Sequence, residues 1–368
     1  MVEFVRSFHL GGTEGQVVEL LRGLPRDYEI RVAVTHDAGP LLEQVWQLGH
    51  FATEFSLKGS VGQLNTFVQI ARIATWLRRN RIRLVHAHDF YTTLLAVPAA
   101  QLAKVPIVVG RLDLAHFHTP VQRQALITCT RAANHVIANA DAIRQMLVKE
   151  EMIPPERISV IHNGLDLTRF DQRARERLRA PVPDIGDAPV VIHVANLAHP
   201  VKRQEDLLTA LAILKQGGRM LRAWLVGDGP RRPEIQRMAQ DLGVADRTHF
   251  LGQRTDVPAL LVRATLGVLC SSSEGMSNSI IEGMAAGLPM VVTRVGGNPD
   301  LILDGERGYV VEAFRPAQLA DAFIRMLDDP EQARHMAARA RAFVEKELTL
   351  SHLCERHDQL YRRVAARA

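Results

Sequence analysis

The feature that most constrains the fold is a regular alternation of two kinds of segment along the chain. Short runs rich in β-branched residues, such as 30–35, are each followed by a longer stretch whose apolar residues recur at helical spacing. The first such stretch carries Val17, Leu20, Leu21 and Leu24. Repeated β-α units build parallel sheets with helices on both faces. The sequence therefore predicts an α/β fold.

The alternation is interrupted once, in residues 179–189 (RAPVPDIGDAP), which contain three prolines and show no periodicity. A chain of 368 residues is long for one core and suits two domains. We predict two doubly wound, Rossmann-like parallel-sheet domains, 1–178 and 190–346, facing each other across a cleft. Residues 179–189 are the predicted linker, and 347–368 a helix that packs back toward the first domain.

Composition narrows the classes of partner and compartment. Lys and Arg number 45 against 40 Asp and Glu, a net charge of +5, which suits anionic small ligands or an acidic membrane surface and does not indicate nucleic acid. The three cysteines are far apart, so neither a disulfide framework nor a zinc knuckle is expected. The first residues lack the apolar core of a signal peptide, and the best apolar run, 93–103, is too short to span a bilayer. We expect a cytoplasmic protein.

Residues 271–300 hold the largest concentration of candidate ligand-binding residues. They follow a predicted strand, and a helix is predicted to begin near Ser277 and Asn278, which are both good N-cap types. Gly275 lets the backbone approach a ligand closely. Because the N–H groups and the dipole of a helix N-terminus bind anions, this segment predicts a phosphate site.

Two carboxylates flank the predicted phosphate site. Glu274 lies in the loop before the helix, and Glu282 in its second turn. A carboxylate near a phosphate must serve hydroxyl groups instead, and one Glu can accept both hydrogens of a vicinal diol such as ribose. A solvated loop glutamate and a helix glutamate that interacts with the dipole are the alternative interpretation.

Other loops at strand ends in this half also suit a nucleotide. Lys202 follows the first predicted strand of the half, where its ammonium group could meet a diphosphate. Gly227 and Gly229 belong to a sharp turn that leaves room for a flat ring, or that only reverses the chain. Gly296 and Gly297 offer further backbone N–H groups.

In this order the motifs resemble glycosyltransferase family 4, retaining enzymes of the GT-B fold. The resemblance is carried by EGMSNSIIEGMAAGLPMVVTRVGG, LVGDGPRRPEIQ, FLGQRTDVPALL and IHNGLDLTRF. It implies that Lys202 binds the donor diphosphate, Glu274 the transferred sugar and Glu282 the ribose, with Lys202 and Glu274 as catalytic candidates. The implied donor-binding residues are Gly11, Gly12, Asn196, Lys202, Arg203, Gly227, Gly229, Glu274, Gly275, Met276, Ser277, Asn278 and Glu282.

Two positions depart from the family pattern. The family usually has Arg in a G-R-L stretch before its lysine, where this chain has Ala195, Asn196 and Leu197. Arg203 is the candidate replacement for the missing cation. Asp300 stands where the family more often has Glu.

Residues 10–16 (LGGTEGQ) join the first predicted strand to the first predicted helix and resemble a glycine-rich loop of the family. The resemblance places Gly11 and Gly12 beside the transferred sugar and phosphates. Thr13 is the predicted N-cap of the helix. A plain helix cap with Glu14 in the first turn is the alternative.

Histidines separated by one residue occur at two neighbouring strand ends. His86 and His88 end the fourth predicted strand, and His116 and His118 follow the fifth. In an extended segment such a pair points to one face of the sheet. The interpretations are polar lining of an acceptor pocket, which we expect, a metal site, and ordinary surface or core histidines.

The predicted acceptor residues are His88, Asp89 and Arg111. Many family members carry an active-site histidine where this chain has Leu112, so His116, His118 and Asp113 complete the catalytic candidates. Metal-dependent glycosyltransferases hold the donor diphosphate through an Asp-x-Asp motif, which this chain lacks. We expect no metal and no cofactor, with Lys202 and a helix N-terminus stabilising the leaving group.

Residues 66–83 combine an apolar face with Arg78, Arg79, Arg81 and Arg83. One interpretation is peripheral contact with anionic lipid at the inner face of the membrane. The other is a core helix whose basic residues complement the dipole at its C-terminal end.

The predicted function is transfer of a sugar from a nucleotide-sugar, a UDP-sugar in our expectation, to a hydroxyl of a lipid-linked or polysaccharide acceptor, with retention. The expected pathway is biosynthesis of cell-surface polysaccharide, lipopolysaccharide or glycolipid. The alternatives are a catalytically impaired nucleotide-sugar-binding scaffold and an epimerase of the same fold. A nicotinamide-dependent dehydrogenase is disfavoured, because no GxGxxG follows a strand with an acidic residue beyond it.

Overall fold

A computed structural model describes residues 1–57, 63–114, 118–183 and 186–366. The chain divides into two compact units, the first formed by Met1–Gly164 and Leu350–Ala368 and the second by Leu165–Thr349.

The strands are β1 (Val2–Val5), β2 (Arg31–Val34), β3 (Ala52–Glu54), β4 (Val85–Ala87), β5 (Ile107–Arg111), β6 (His135–Ala138), β7 (Ile158–Val160), β8 (Val190–Val194), β9 (Arg222–Val226), β10 (Thr248–Gly252), β11 (Leu266–Leu269), β12 (Met290–Thr293) and β13 (Tyr309–Val311). The helices are α1 (Gly12–Gly23), α2 (Leu42–Gln47), α3 (Leu64–Arg79), α4 (Phe90–Ala103), α5 (Pro120–Ala132), α6 (Asp141–Lys149), α7 (Leu167–Ala174), α8 (Gln204–Gln216), α9 (Arg232–Asp241), α10 (Val257–Leu261), α11 (Asn278–Ala285), α12 (Asn298–Leu301), α13 (Pro316–Asp328), α14 (Pro330–Glu347) and α15 (Leu350–Ala366).

The first unit is built on a seven-stranded sheet in the order β3-β2-β1-β4-β5-β6-β7, in which every pair is parallel. The order reverses between β1 and β4, and open α/β sheets bind ligands at the carboxyl ends of strands at such a switch point. The loops that follow β1 and β4 carry Gly11 and Asp89.

The second unit repeats the plan with six parallel strands in the order β10-β9-β8-β11-β12-β13. Its switch point lies between β8 and β11, and the loops that follow these strands carry Lys202 and Glu274. Both sheets have buried apolar clusters around them, as strands covered on both faces require. The predicted α/β fold with two Rossmann-like parallel sheets is confirmed.

The boundary between the units differs from the predicted linker at 179–189. Helix α7 packs against α10, and Phe170 belongs to a core cluster of the second unit. The Arg179 backbone N–H then donates to Asp256 Oδ2 at 2.7 Å, which fastens the next segment to the same unit. Prolines indicate a loop, but they do not show which core the flanking segments pack into. The boundary between the units therefore falls at Gly164, before α7.

The C-terminal helix α15 belongs to the first unit. Its apolar face, which includes Leu353 and Leu360, packs in one cluster with Leu20 of α1. Across the described ranges, no helix has the length and apolarity needed to cross a membrane.

Candidate active site

Two loops of the second unit are fastened together at the switch point. The loop after β8 ends in a 3-10 turn, Pro200–Lys202, and Arg203 then adopts left-handed φ of 51° before α8 begins. The Ser272 N–H donates to the Val201 carbonyl at 2.8 Å, and the Cys270 thiol donates to the Arg203 carbonyl at 3.0 Å. These bonds fix Lys202 against the loop that carries Glu274.

Lys202 and Glu274 form an ion pair in this position. The Lys202 ammonium donates to Glu274 Oε1 at 2.6 Å, and the Ser271 hydroxyl donates to the same oxygen at 2.6 Å. The two charged side chains are 22% and 11% exposed. The buried Thr293 hydroxyl in turn donates to the Ser271 carbonyl at 2.6 Å. The structure thus brings together the two predicted catalytic residues of this unit.

The glycines of this unit let the strand-end loops pack against one another. A Cβ atom on Gly229 would overlap the Leu197 carbonyl, and one on Gly296 would overlap the Glu274 backbone oxygen. The Gly297 N–H donates to the Gly275 carbonyl at 2.8 Å. Gly229 was expected to leave room for a flat ring, and Gly296 and Gly297 to offer N–H groups. The Gly297 N–H is therefore engaged by the loop that carries Glu274, while room for a flat ring at Gly229 stays a prediction.

The N-terminus of α11 lies directly after this loop. Ser277 is its N-cap residue, but its hydroxyl pairs with the Ser279 hydroxyl at 2.9 Å and does not cap the helix. The Met276 side chain is buried in the core, so only its backbone could meet a donor. Since no cap from Ser277 covers the first turn, this helix end suits an anion.

Glu282, one turn into α11, is partly buried. Burial raises the pKa of its carboxyl to about 7, and the positive charge of Arg173 on α7 opposes that rise. Asn196 is exposed, and its side chain accepts from the Ala198 N–H at 3.3 Å.

Arg203, the candidate replacement for the missing cation, is engaged elsewhere. Its guanidinium donates to both carboxylate oxygens of Asp206, at 3.0 and 2.6 Å, and lies 4.5 Å from the centre of the Phe314 ring. Lys202 is therefore the cation that the structure presents beside Glu274.

Sequence reasoning missed His193, a buried residue of β8. Burial and the nearby Lys202 charge lower the pKa of its imidazole to about 3, so the ring is neutral at physiological pH. A polar residue inside the apolar run VVIHV was the available signal.

In the first unit, helix α1 begins at Gly12 with Gly11 as N-cap. Thr13, the predicted cap, lies inside the helix instead. A Cβ atom on Gly11 would overlap the carboxylate of Glu14, which folds back over the helix start. Burial and the Asp89 charge both raise the pKa of the Glu14 carboxyl.

Asp89 is the N-cap of α4. Its Oδ1 accepts from the Thr92 N–H at 3.0 Å, and its Oδ2 accepts from the Arg6 N–H at 2.8 Å. Burial raises the pKa of this carboxyl. The carboxylate therefore ties the loop after β1 to the start of α4, a role that the acceptor assignment did not foresee.

The assignments of Arg111 and His88 as acceptor residues need correction. Arg111 is buried and makes a bidentate ion pair with Glu151 at 2.6 and 2.8 Å. His88 is buried too, and its Nε2 lies 2.5 Å from Glu3 Oε2. Each side chain points into the unit because it pairs there with a buried carboxylate, Glu151 for Arg111 and Glu3 for His88.

Glu3, His86 and His88 belong to a buried polar cluster, which fits the core-histidine interpretation of His86 and His88; sequence reasoning missed Glu3. The His86 and His88 rings lie on one side of β4, 3.8 Å apart between centroids. Tyr361 of α15 completes the cluster, with its hydroxyl 2.6 Å from His86 Nδ1 and 3.2 Å from Glu3 Oε1. The histidines hold the pKa of the Glu3 carboxyl well below its usual range, against the effect of burial.

The cluster has the residue types of a metal site, with one donor atom from Glu3, His86 and His88 all within 4.8 Å of one another. A tetrahedral ion with bonds of about 2.0–2.1 Å holds its donors roughly 3.3 Å apart. His86 Nδ1 lies 3.2 Å from Glu3 Oε2, but His88 Nε2 lies only 2.5 Å from the same oxygen, a separation that fits a charge-assisted hydrogen bond and not two ligands of one ion.

His118 stacks on Phe90, with 4.2 Å between ring centroids. Burial lowers the pKa of its imidazole, and the Asp113 charge raises it, so these two candidates lie within electrostatic reach of each other. His116 lies outside the described residues.

Two family models match the chain in succession. "Glycosyltransferase Family 4" matches residues 10–169, and "Glycosyl transferases group 1" matches residues 188–329.

The curated relatives include a synthase and several transferases. The chain is 31% identical to N-acetyl-alpha-D-glucosaminyl L-malate synthase of Bacillus anthracis over 60% of this chain and 58% of that protein. It is 30% identical to alpha-D-kanosaminyltransferase of Streptomyces kanamyceticus over 78% of this chain and 81% of that protein. It is 32% identical to D-inositol 3-phosphate glycosyltransferase of Streptomyces scabiei over 71% of this chain and 64% of that protein.

Solved structures share the fold across nearly the whole chain. HepE of Anabaena, in complex with UDP-glucose, matches with a TM-score of 0.85 and 22% identity over 98% of this chain and 99% of that one. The lipopolysaccharide outer core galactosyltransferase WaaB, in its apo form, matches with a TM-score of 0.75 and 17% identity over 99% of this chain and 100% of that one.

The two parallel-sheet units and the matches together place the chain in a class, the sugar-transferring enzymes of the GT-B fold. The family follows from the matches: the chain belongs to glycosyltransferase family 4, as the sequence motifs indicated.

Proposed function

We propose that this chain transfers a sugar from a UDP-sugar to an acceptor hydroxyl, with retention at the anomeric carbon. The observation that supports it best is the Lys202–Glu274 pair, held at 2.6 Å beside the N-terminus of α11. A cation and a helix N-terminus suit a diphosphate, while a carboxylate suits sugar hydroxyls. The structural relative HepE is described with UDP-glucose, which motivates the choice of nucleotide.

Each of these residues binds a different part of the nucleotide-sugar donor. Lys202 and the first turn of α11 bind the diphosphate, Glu274 accepts hydrogen bonds from the transferred sugar, and Glu282 accepts from the ribose. The acceptor oxygen bonds to the anomeric carbon as the bond from that carbon to the phosphate oxygen breaks. The electron pair leaves with the nucleoside diphosphate, and the acceptor proton passes to the departing phosphate. Fixed positive groups stabilise the charge that develops there, with no metal or cofactor proposed.

The first proposed acceptor is a lipid-linked or polysaccharide glycan of the cell surface. A relative of the same fold is named for the lipopolysaccharide outer core. Helix α3 exposes Leu64, Phe67 and Val68 near its start and Arg78 and Arg79 at its end. Apolar residues followed by cations on one helix suit peripheral contact with anionic lipid at the cytoplasmic face of a membrane.

The membrane contact is tested with vesicles. Wild-type protein should sediment with vesicles of phosphatidylglycerol and phosphatidylcholine but not with phosphatidylcholine alone, and Phe67→Asp should weaken the association. Equal association of both proteins with both vesicle types would rule out this surface as the contact.

A second acceptor class is supported by the curated relatives. Their names specify L-malate and D-inositol 3-phosphate, which are small hydroxylated anions. We therefore include such compounds as the alternative acceptor.

The function is tested with a panel of UDP-, GDP- and ADP-sugars. A UDP-sugar should raise the melting temperature most, since ligand binding stabilises by mass action. Radiolabelled sugar should then pass either to an organic-extractable lipid or to a small hydroxylated anion, with an α-linked product from an α-linked donor. Binding without transfer or hydrolysis would favour a scaffold, and conversion of the sugar without an acceptor would favour an epimerase.

A further inference from the structure

The cation and the carboxylate of the donor site neutralise each other in the structure. The Glu274 oxygen that Lys202 contacts at 2.6 Å also accepts from the Ser271 hydroxyl at 2.6 Å. A phosphate that binds Lys202 must therefore share the ammonium group with the Glu274 carboxylate or displace that carboxylate.

The pair is built into the backbone of the unit. The Ser272 N–H is bonded to the Val201 carbonyl at 2.8 Å, so the two loops cannot part without losing a backbone hydrogen bond. Gly296 leaves no space between its own turn and the Glu274 backbone. The neutral ring of His193 lies beside Lys202 and adds no competing charge. The Lys202–Glu274 pair is therefore held in place by the backbone, unlike an ion pair between two mobile surface side chains.

We propose that Glu274 is a specificity-determining residue, which disfavours bare UDP by competing with its diphosphate for Lys202. The inference rests on the proposed function. A UDP-sugar compensates Glu274 for the loss of its contact with Lys202, because the sugar hydroxyls donate hydrogen bonds to the carboxylate. Bare UDP offers no sugar hydroxyl there and leaves a carboxylate facing its terminal phosphate.

The competition has a consequence for turnover. Sugar transfer converts a ligand that satisfies Glu274 into one that does not. The carboxylate then regains Lys202 as UDP departs. Glu274 thus favours release of the product over release of the donor.

The decisive comparison is calorimetric titration of UDP and UDP-glucose into wild-type protein and Glu274→Gln. The amide removes the charge that holds Lys202, so UDP should bind about three- to tenfold tighter to the variant, as expected for loss of a partly buried ion pair and a like-charge contact. UDP-glucose should bind no tighter. Glu274→Ala, which removes the carboxylate entirely, should shift UDP affinity in the same direction.

Asp246→Asn is the matched control. Asp246 pairs with Lys215 at 3.0 Å in the same unit, so this variant also removes the carboxylate partner of a lysine and raises the net charge by one. Its affinity for UDP should equal that of wild type. A Glu274→Gln protein that binds UDP as wild type does, or more weakly, would overturn the specificity role while leaving the donor assignment intact. Failure of wild type to bind either ligand would overturn the proposed donor class, and this inference with it.

Discussion

Glu282 illustrates how the surroundings of one carboxyl group set what it can bind. It is partly buried on α11, and burial raises its pKa to about 7 despite the positive charge of Arg173. Near neutral pH the side chain therefore exists in both protonation states. The ionised carboxylate is an acceptor only and can receive both hydroxyl hydrogens of a ribose, whereas the protonated acid carries a hydrogen of its own on one oxygen and is the poorer acceptor.

This environment predicts pH-dependent nucleotide affinity. Binding that requires the carboxylate must release a proton below the pKa, so UDP affinity should rise with pH through about 7. For a pKa of 7 the ionised fraction grows about tenfold from pH 6 to pH 8, which bounds the expected gain in affinity. Calorimetry at pH 6, 7 and 8 measures it.

Glu282→Gln is the control for that series, because the amide does not titrate while the phosphate of UDP still does. The wild-type gain should exceed that of the variant over the same range. Parallel curves for the two proteins would show that Glu282 is not the titrating group.

At the residue scale, the sequence predicted positions at strand ends better than the direction of individual side chains. Lys202 and Glu274 follow strands that turn out to be neighbours, β8 and β11, and their proximity follows from the parallel order. Arg111 also lies at a strand end, but it turns inward to Glu151, forty residues on by numbering. No local pattern announces a partner so distant in sequence.

The C-terminal helix α15 is attached to the first unit by buried polar contacts as well as by its apolar face. Tyr361 is buried and contacts both His86 of β4 and Glu3 of β1 through its hydroxyl. Burial lowers the pKa of His86 to about 4, so that ring is neutral at physiological pH. The hydroxyl thus links the helix to the two strands at the switch point of the first unit.

Removing that hydroxyl should loosen the helix. Tyr361→Phe should lower the free energy of unfolding by about 1–3 kcal/mol, the cost of leaving buried polar groups without their partner. Urea unfolding monitored by circular dichroism gives the measurement.

Tyr28→Phe is the matched control, because the Tyr28 hydroxyl also bonds α15, at Asp358 and 2.8 Å, in a less buried position. It should cost less than Tyr361→Phe. An equal or larger loss in the Tyr28 variant would contradict a special role for the buried cluster.

At the element scale, periodicity predicted strands and helices and the helical character of the tail. The first predicted helix, recognised from Val17, Leu20 and Leu21, is α1, Gly12–Gly23. Periodicity did not predict that α7 packs on α10, because amphipathic spacing shows that a helix has a buried face but not which element covers that face. The linker was therefore placed at the prolines, beyond the true change of unit at Gly164.

At the scale of the whole molecule, family membership and the site lead to one account. Each unit has a parallel sheet with a switch point, and the second unit places Lys202, Glu274 and the start of α11 together. The net charge of +5 suits an anionic donor. The acceptor was predicted to contact the first unit, where two of the three predicted acceptor residues, His88 and Arg111, are buried.

The central claim is that Lys202 binds the diphosphate of a UDP-sugar, and calorimetric titration of Lys202→Ala tests it most directly. Affinity for UDP-glucose, or for whichever UDP-sugar stabilises the protein most, should fall by at least about tenfold, or roughly 1.4 kcal/mol. Lys215→Ala removes a lysine that is likewise paired with a carboxylate in the same unit, and it should bind as wild type does. A Lys202→Ala protein with undiminished affinity would contradict the account.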